Sequence, residues 1–114
     1  MLKKYGDRII NIPRKSSTYS SSHGIVGDSG FIYTALIFTD GSNNVELTLY
    51  NAELETNLTV VSGTTPTKLL PAFTVDGADN YDIINIPYTA FDDGLYVDVV
   101  TSGTCEYIIY YDNN

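Results

Sequence analysis

The stretch DDGLYVDVVTSGTCEYIIYYDNN, residues 92–114, decides how this chain is read. Leu95, Val97 and Val99 alternate with Tyr96, Asp98 and Val100. After Thr101-Ser102-Gly103, the residues Cys105, Tyr107, Ile109 and Tyr111 alternate with Glu106, Ile108 and Tyr110. A period of two is the signature of a β-strand with one face to bury. The short connection with Gly103 near its end predicts a hairpin built on a type I turn and a left-handed glycine. Leu95, Val97, Val99, Cys105, Tyr107 and Ile109 are then expected to face one core. Tyr96, Val100, Ile108 and Tyr110 are expected to form a strip on the opposite face.

Working back along the chain, the same period recurs. FIYTALIFT (31–39) is β-branched and aromatic with apolar groups on both faces, as in a central strand. DGSNN (40–44) supplies turn residues, and VELTLYN (45–51) points Val45, Leu47 and Leu49 inward. LTVVS (58–62) reads as another strand. KLLPAFTV (68–75) is extended, but Pro71 lacks an N–H and demotes it to an edge. YDIINI (81–86) is expected to stop at Pro87. No segment carries a helix pattern. The expected fold is all-β: an antiparallel β-sandwich, jelly-roll or immunoglobulin-like, of about six to eight strands.

Ahead of the strands the composition changes. Five of the six basic residues, Lys3, Lys4, Arg8, Arg14 and Lys15, lie in the first fifteen positions, whereas thirteen of the fourteen acidic residues lie beyond them. SSTYSSSHG (16–24) has the composition of a flexible linker. The expected organisation is a basic arm and linker over 1–24 followed by a sandwich over 25–114. The acidic body repels phosphate backbones, so nucleic acid is not an expected partner. No run reaches the roughly 18 apolar residues needed to cross a bilayer, and the start lacks the apolar core of a secretory signal. The single Cys105 excludes an internal disulfide framework. Synthesis and folding in a reducing cytoplasm fit these features.

Catalysis near neutral pH needs a proton carrier or nucleophile held in place. The chain has one histidine, His23, set in the Ser/Gly segment, and one cysteine, Cys105, on an inward strand face. Neither a transition-metal ligand set nor a phosphate-binding glycine loop is present. Asp76, Asp79, Asp82, Asp92 and Asp93 lie in turns, but their spacing fails the EF-hand pattern, and plain turn chemistry accounts for them. No catalytic residue, metal or cofactor is expected. Tyrosine is the more informative excess: ten of the fourteen aromatics, with no tryptophan. Tyrosine offers contact area at low rotamer cost and is enriched where surfaces meet. Tyr50, Tyr96, Ile108 and Tyr110 are therefore the expected surface contacts. Lys3, Lys4, Arg8, Ile9, Ile10, Ile12, Arg14 and Lys15 are the expected contacts of the arm.

The segments VELTLYNAE, LPAFTVDG and IPYTAFDDGLYVDVVTSGTCEYIIYYD, within residues 31–112, resemble small β-sandwich virion proteins of tailed bacteriophages. In those proteins a GLYVDV strand, a Gly-containing turn and a terminal Tyr-Tyr strand close the chain. The resemblance implies a non-enzymatic structural role in the virion, most specifically as a capsid decoration protein. It also implies major capsid or other virion proteins as partners, in oligomers or repeated copies on a symmetric particle. The alternatives are a neck, tail or fibre component, or a carbohydrate-binding adhesion module. No catalytic residue is carried over by the likeness.

Overall fold

A computed structural model describes residues 15–52 and 67–113. It contains nine strands among these residues: β1 (Lys15–Tyr19), β2 (His23–Val26), β3 (Gly30–Phe38), β4 (Val45–Asn51), β5 (Thr67–Lys68), β6 (Phe73–Val75), β7 (Tyr81–Phe91), β8 (Leu95–Thr101) and β9 (Glu106–Asn113). A 3-10 turn, Gly77–Asp79, precedes β7. The front sheet has the order β1-β9-β3-β7; the back sheet has β2-β8-β4-β5, with β6 also paired to β4. All the ladders are antiparallel.

This is a jelly roll. The ladders β4·β5, β3·β7, β2·β8 and β1·β9 nest inside one another, as if one long hairpin had been rolled up. Rolling places β9 between β1 and β3, so the last strand sits in the middle of the front sheet. The dense apolar run at residues 105–111 is thus explained: it is a central strand, buried on its inner face.

The predicted terminal hairpin does not form. β8 pairs with β2 and β4 in the back sheet, while β9 pairs with β1 and β3 in the front sheet. Residues 102–105 arch from one sheet to the other. Each strand has its own core-facing row, so Leu95 and Val97 meet Tyr107 and Ile109 across the sandwich rather than side by side. All four are fully buried. Gly103 is not left-handed either, since the positive-φ glycines are Gly41 and Gly94. It is small for another reason: a Cβ there would lie 1.9 Å from the Asp40 carboxylate.

The Ser-rich linker is also corrected. Residues 15–19 form β1, which pairs with β9 from Tyr107↔Tyr19 to Tyr111↔Lys15, and residues 23–26 form β2. Serine and threonine tolerate the pleat of an edge strand, and Tyr19 and Ile25 pack on the core. Residues 15–19 and 23–26 are therefore part of the sandwich rather than a linker ahead of it. His23 is no tethered side chain: its ring stacks on Tyr19 with centroids 3.9 Å apart.

Pro87 does not end its strand. β7 continues to Phe91 because the register against β3 shifts there: Thr34 faces Asn85, but Ile32 faces Thr89. The extra residues form a bulge on an edge strand, where proline's missing N–H costs no ladder bond. The expectation at Pro71 holds, with only short β5 and β6 flanking it. The expected strand at Leu58–Ser62 lies outside the described residues.

The core joins Ile32, Ala35 and Ile37 of β3 to Val45, Leu47 and Leu49 of β4, and to Val97, Tyr107 and Ile109. At one end of the roll Asp40 ties two connections together, its own β3–β4 loop and the β8–β9 arch. Its carboxylate accepts from the backbone N–H groups of Ser42 (2.9 Å), Asn43 (2.8 Å) and Thr104 (3.2 Å) and from the Asn43 amide (2.8 Å). At the other end the Asn51 side-chain oxygen accepts from the N–H groups of Asp92 (3.1 Å) and Asp93 (3.0 Å).

Candidate protein-docking surface

The alternation that fills the core leaves a matching set of residues on the outer face of the front sheet. In β3 the inward positions are Ile32, Ala35 and Ile37, so Thr34, Leu36 and Phe38 point out. In β9 the buried Tyr107 and Ile109 leave Glu106, Ile108 and Tyr110 outward. In β7 the core contacts of Ile84 and Ile86 leave Tyr81, Ile83 and Asn85 outward.

Cross-strand register assembles these residues into three rows. Glu106, Phe38 and Tyr81 form the first; Thr18, Ile108, Leu36 and Ile83 the second; Ser16, Tyr110, Thr34 and Asn85 the third. Phe38, Tyr81, Leu36, Ile83, Ile108 and Tyr110 are contiguous across three strands. The Phe38 and Tyr81 rings are 6.1 Å apart and tilted by 39°. Tyr81 is 56 % exposed and Ile83 is 54 % exposed. With strands about 4.8 Å apart and same-face residues about 7 Å apart, the apolar patch covers on the order of 300 Å². Patches of that size on a monomer commonly mark an interaction site.

The four surface residues expected from the sequence are divided by this geometry. Ile108 and Tyr110 are half-buried members of the front patch. Tyr50 and Tyr96 lie on the outer face of the back sheet, opposite each other in the β4·β8 ladder. Tyr96 is only 2 % exposed and packs with Ala52 and Tyr50. It is therefore corrected from a contact residue to a packed one. Burial, reinforced by the Asp98 charge, raises its phenol pKa. The expected single strip joining Tyr96 and Val100 to Ile108 and Tyr110 is split between two opposite faces, because the hairpin that would have joined them is an arch.

Leu36, Phe38, Tyr81 and Ile83 escaped the sequence reading. For Leu36 and Phe38 the signal is the apolar character of both faces of FIYTALIFT, which fits a central strand and also leaves an apolar outer row. Of the expected arm contacts, Lys3, Lys4, Arg8, Ile9, Ile10, Ile12 and Arg14 lie outside the described residues. Lys15 opens β1, and its amine donates to the Asn113 side chain, so it belongs to the sandwich.

Cys105 is buried, and its thiol donates to the Ser20 carbonyl at 3.9 Å. Burial and the nearby Asp40 charge raise its pKa, the opposite of nucleophile activation. Among the described residues no three His, Cys, Asp or Glu side chains are grouped to hold a metal ion. The aspartates of residues 76–82 and 92–93 sit at opposite ends of β7 and cannot share an ion. The Asp76 side chain instead caps the 3-10 turn by accepting from Ala78 N–H. Among the described residues no helix is long and apolar enough to cross a membrane. One open pocket of about 440 Å³ lies at the back-sheet side of the loop end, between Asn44, Glu46, Val100 and Thr101.

No family model, curated protein or solved structure matches this chain.

Proposed function

We propose that this protein is a non-enzymatic structural domain that docks on another protein. In its specific form it is a bacteriophage virion component, most specifically a capsid decoration protein present in repeated copies. The observation that carries the docking reading is the contiguous apolar patch on the outer face of the front sheet. A solvated sheet face normally alternates to polar residues, and six apolar side chains there expose surface that a partner would cover. Burial and the Asp40 charge raise the Cys105 pKa, so that thiol carries no sign of activation. Jelly rolls recur in viral capsid domains, which agrees with the virion resemblance but is an argument from fold alone.

On this reading residues 1–14 act as a basic anchor. The basic side chains of this segment add charged contacts, and copies arrayed on one particle gain affinity by avidity. The test is mass spectrometry of purified particles from the producing host. The full chain is expected at a fixed ratio to the major capsid protein. A chain lacking residues 1–14 is expected at no more than about one tenth of that occupancy. Absence of the full chain from particles would remove the virion assignment, and normal occupancy of the truncated chain would remove the anchor.

Carbohydrate binding is the second reading, favoured by the amide- and hydroxyl-lined pocket around Asn44 and Thr101. It predicts saturable binding on a glycan array that Asn44→Ala abolishes. The pocket has no aromatic platform among its lining residues, which is why it ranks second.

A further inference from the structure

We infer that the outer face of the front sheet docks a protein surface whose apolar centre is ringed by lysine and arginine side chains. The inference rests on the docking role proposed above and specifies the partner's chemistry and the face that meets it. The centre follows from Phe38, Tyr81, Leu36, Ile83, Ile108 and Tyr110. The ring follows from what borders them. Glu106 closes the first row beside Phe38. Asp79 lies two residues before Tyr81 in sequence and is exposed. Asp112 extends the outer face of β9 beyond Tyr110, opposite Phe31. The cation described on this sheet, Lys15, sits at the start of the far edge strand with its amine directed to Asn113. The face is thus apolar at the centre and acidic at the border.

A complementary partner places apolar side chains on the centre and cations on the border, since buried apolar area supplies the affinity and the charges supply steering and register. Other occupants fit less well. A second copy would set one acidic border against another, on a chain whose formal net charge is already −8. Anionic lipid and nucleic acid are repelled by the same border. Lateral strand addition along β7 is obstructed by the Pro87 bulge and by Asp82 at the open edge. A patch on the order of 300 Å² is less than the roughly 800 Å² that each partner buries in a standard interface, so it forms the centre of a contact whose rim is polar.

The test replaces Ile83, in the full-length chain, with a photo-crosslinking amino acid and irradiates during native assembly. Ile83 is more than half exposed, so the substitution leaves the fold intact, which circular dichroism checks. A second chain carries the same group at Val100, 58 % exposed on the back sheet. The expected result is one dominant adduct from position 83 to a different protein. The crosslinked peptide should be apolar with Lys or Arg beside it. The yield should fall several-fold between about 50 mM and about 500 mM salt, because the border charges are screened. A Glu106→Lys, Asp79→Lys chain should lose yield at low salt in the same way. An adduct between two copies, or to lipid or nucleic acid, overturns the inference. A dominant adduct from position 100 with none from 83 overturns the face while leaving the docking role standing. No specific adduct from either position overturns both.

Discussion

One glycine, Gly94, and one side chain, Asp40, hold the roll closed at its ends, and each makes a definite expectation. Gly94 has φ +147°, and a Cβ there would lie 2.3 Å from the Ala52 carbonyl oxygen and 2.7 Å from that of Val26. Gly94→Ala is therefore expected to cost about 3 kcal/mol in chemical denaturation, through a clash with backbone that cannot rotate away. Asp40 is a different case. Hydrogen bonds from the Asn43 side chain and from the Asn43 and Ser42 backbone hold its carboxyl well below the usual carboxylate range. A depressed folded pKa means that the unfolded chain takes up the proton first as pH falls. The stabilisation is complete above the unfolded value near 4 and is lost progressively below it. Asp40→Asn should lower stability at neutral pH and flatten its fall between about pH 4 and pH 2. An unchanged acid profile would show that the tie between the β3–β4 loop and Thr104 contributes nothing. Asp40 is solvent-exposed, so its effect is expected to be small.

At the scale of elements, the decisive strand is β1. A linker over 16–24 would tolerate deletion, whereas an edge strand that shields β9 would not. Removing residues 1–14 should leave the melting temperature of the body unchanged within a few degrees. Removing residues 1–24 should lower it by more than about 10 °C or abolish cooperative melting, because β9 loses one of its two neighbours. What the sequence made legible here was local. The inward rows of β4, β8 and β9 follow from period-two alternation and help fill the core, whereas in β3 a register shift between Ile32 and Thr34 breaks the period. Which strand lies beside which was less legible. Alternation fixes a strand's faces but not its neighbour, and the connections after Thr101 and after Phe91 had turn composition without saying whether they were hairpins or arches. Arches won because each sheet must set its buried face against the other, and rolling one long nested hairpin satisfies every ladder at once. Misreading that one connection also put Tyr96 and Tyr110 on one face; Tyr96 is packed separately, by Ala52 and Tyr50 on the back sheet. Ser-rich composition misled over β1 for a related reason: linker and edge strand draw on the same small polar residues. The continuation of β7 beyond Pro87 depended on a bulge, a register feature that no local pattern marks.

For the whole molecule, the account predicts one face with a partner and one largely without. The core and loop ties use the inner rows, and the back sheet packs Tyr96 and Ala52 at one end. Among the described residues the front sheet presents six contiguous apolar side chains, two of them more than half exposed. Docking and folding are therefore separable by mutation, since an outward residue on a solvated face contributes little to stability. The most direct test is the Ile83→Asp chain. Its unfolding free energy should stay within about 0.5 kcal/mol of the parent, as for surface substitutions away from special features. Its occupancy in purified assemblies, read by quantitative mass spectrometry against the parent, should fall at least about tenfold, the cost of burying an unpaired charge at the centre of an interface. Parent-level occupancy by a folded Ile83→Asp chain would contradict the assignment of this face as the docking surface.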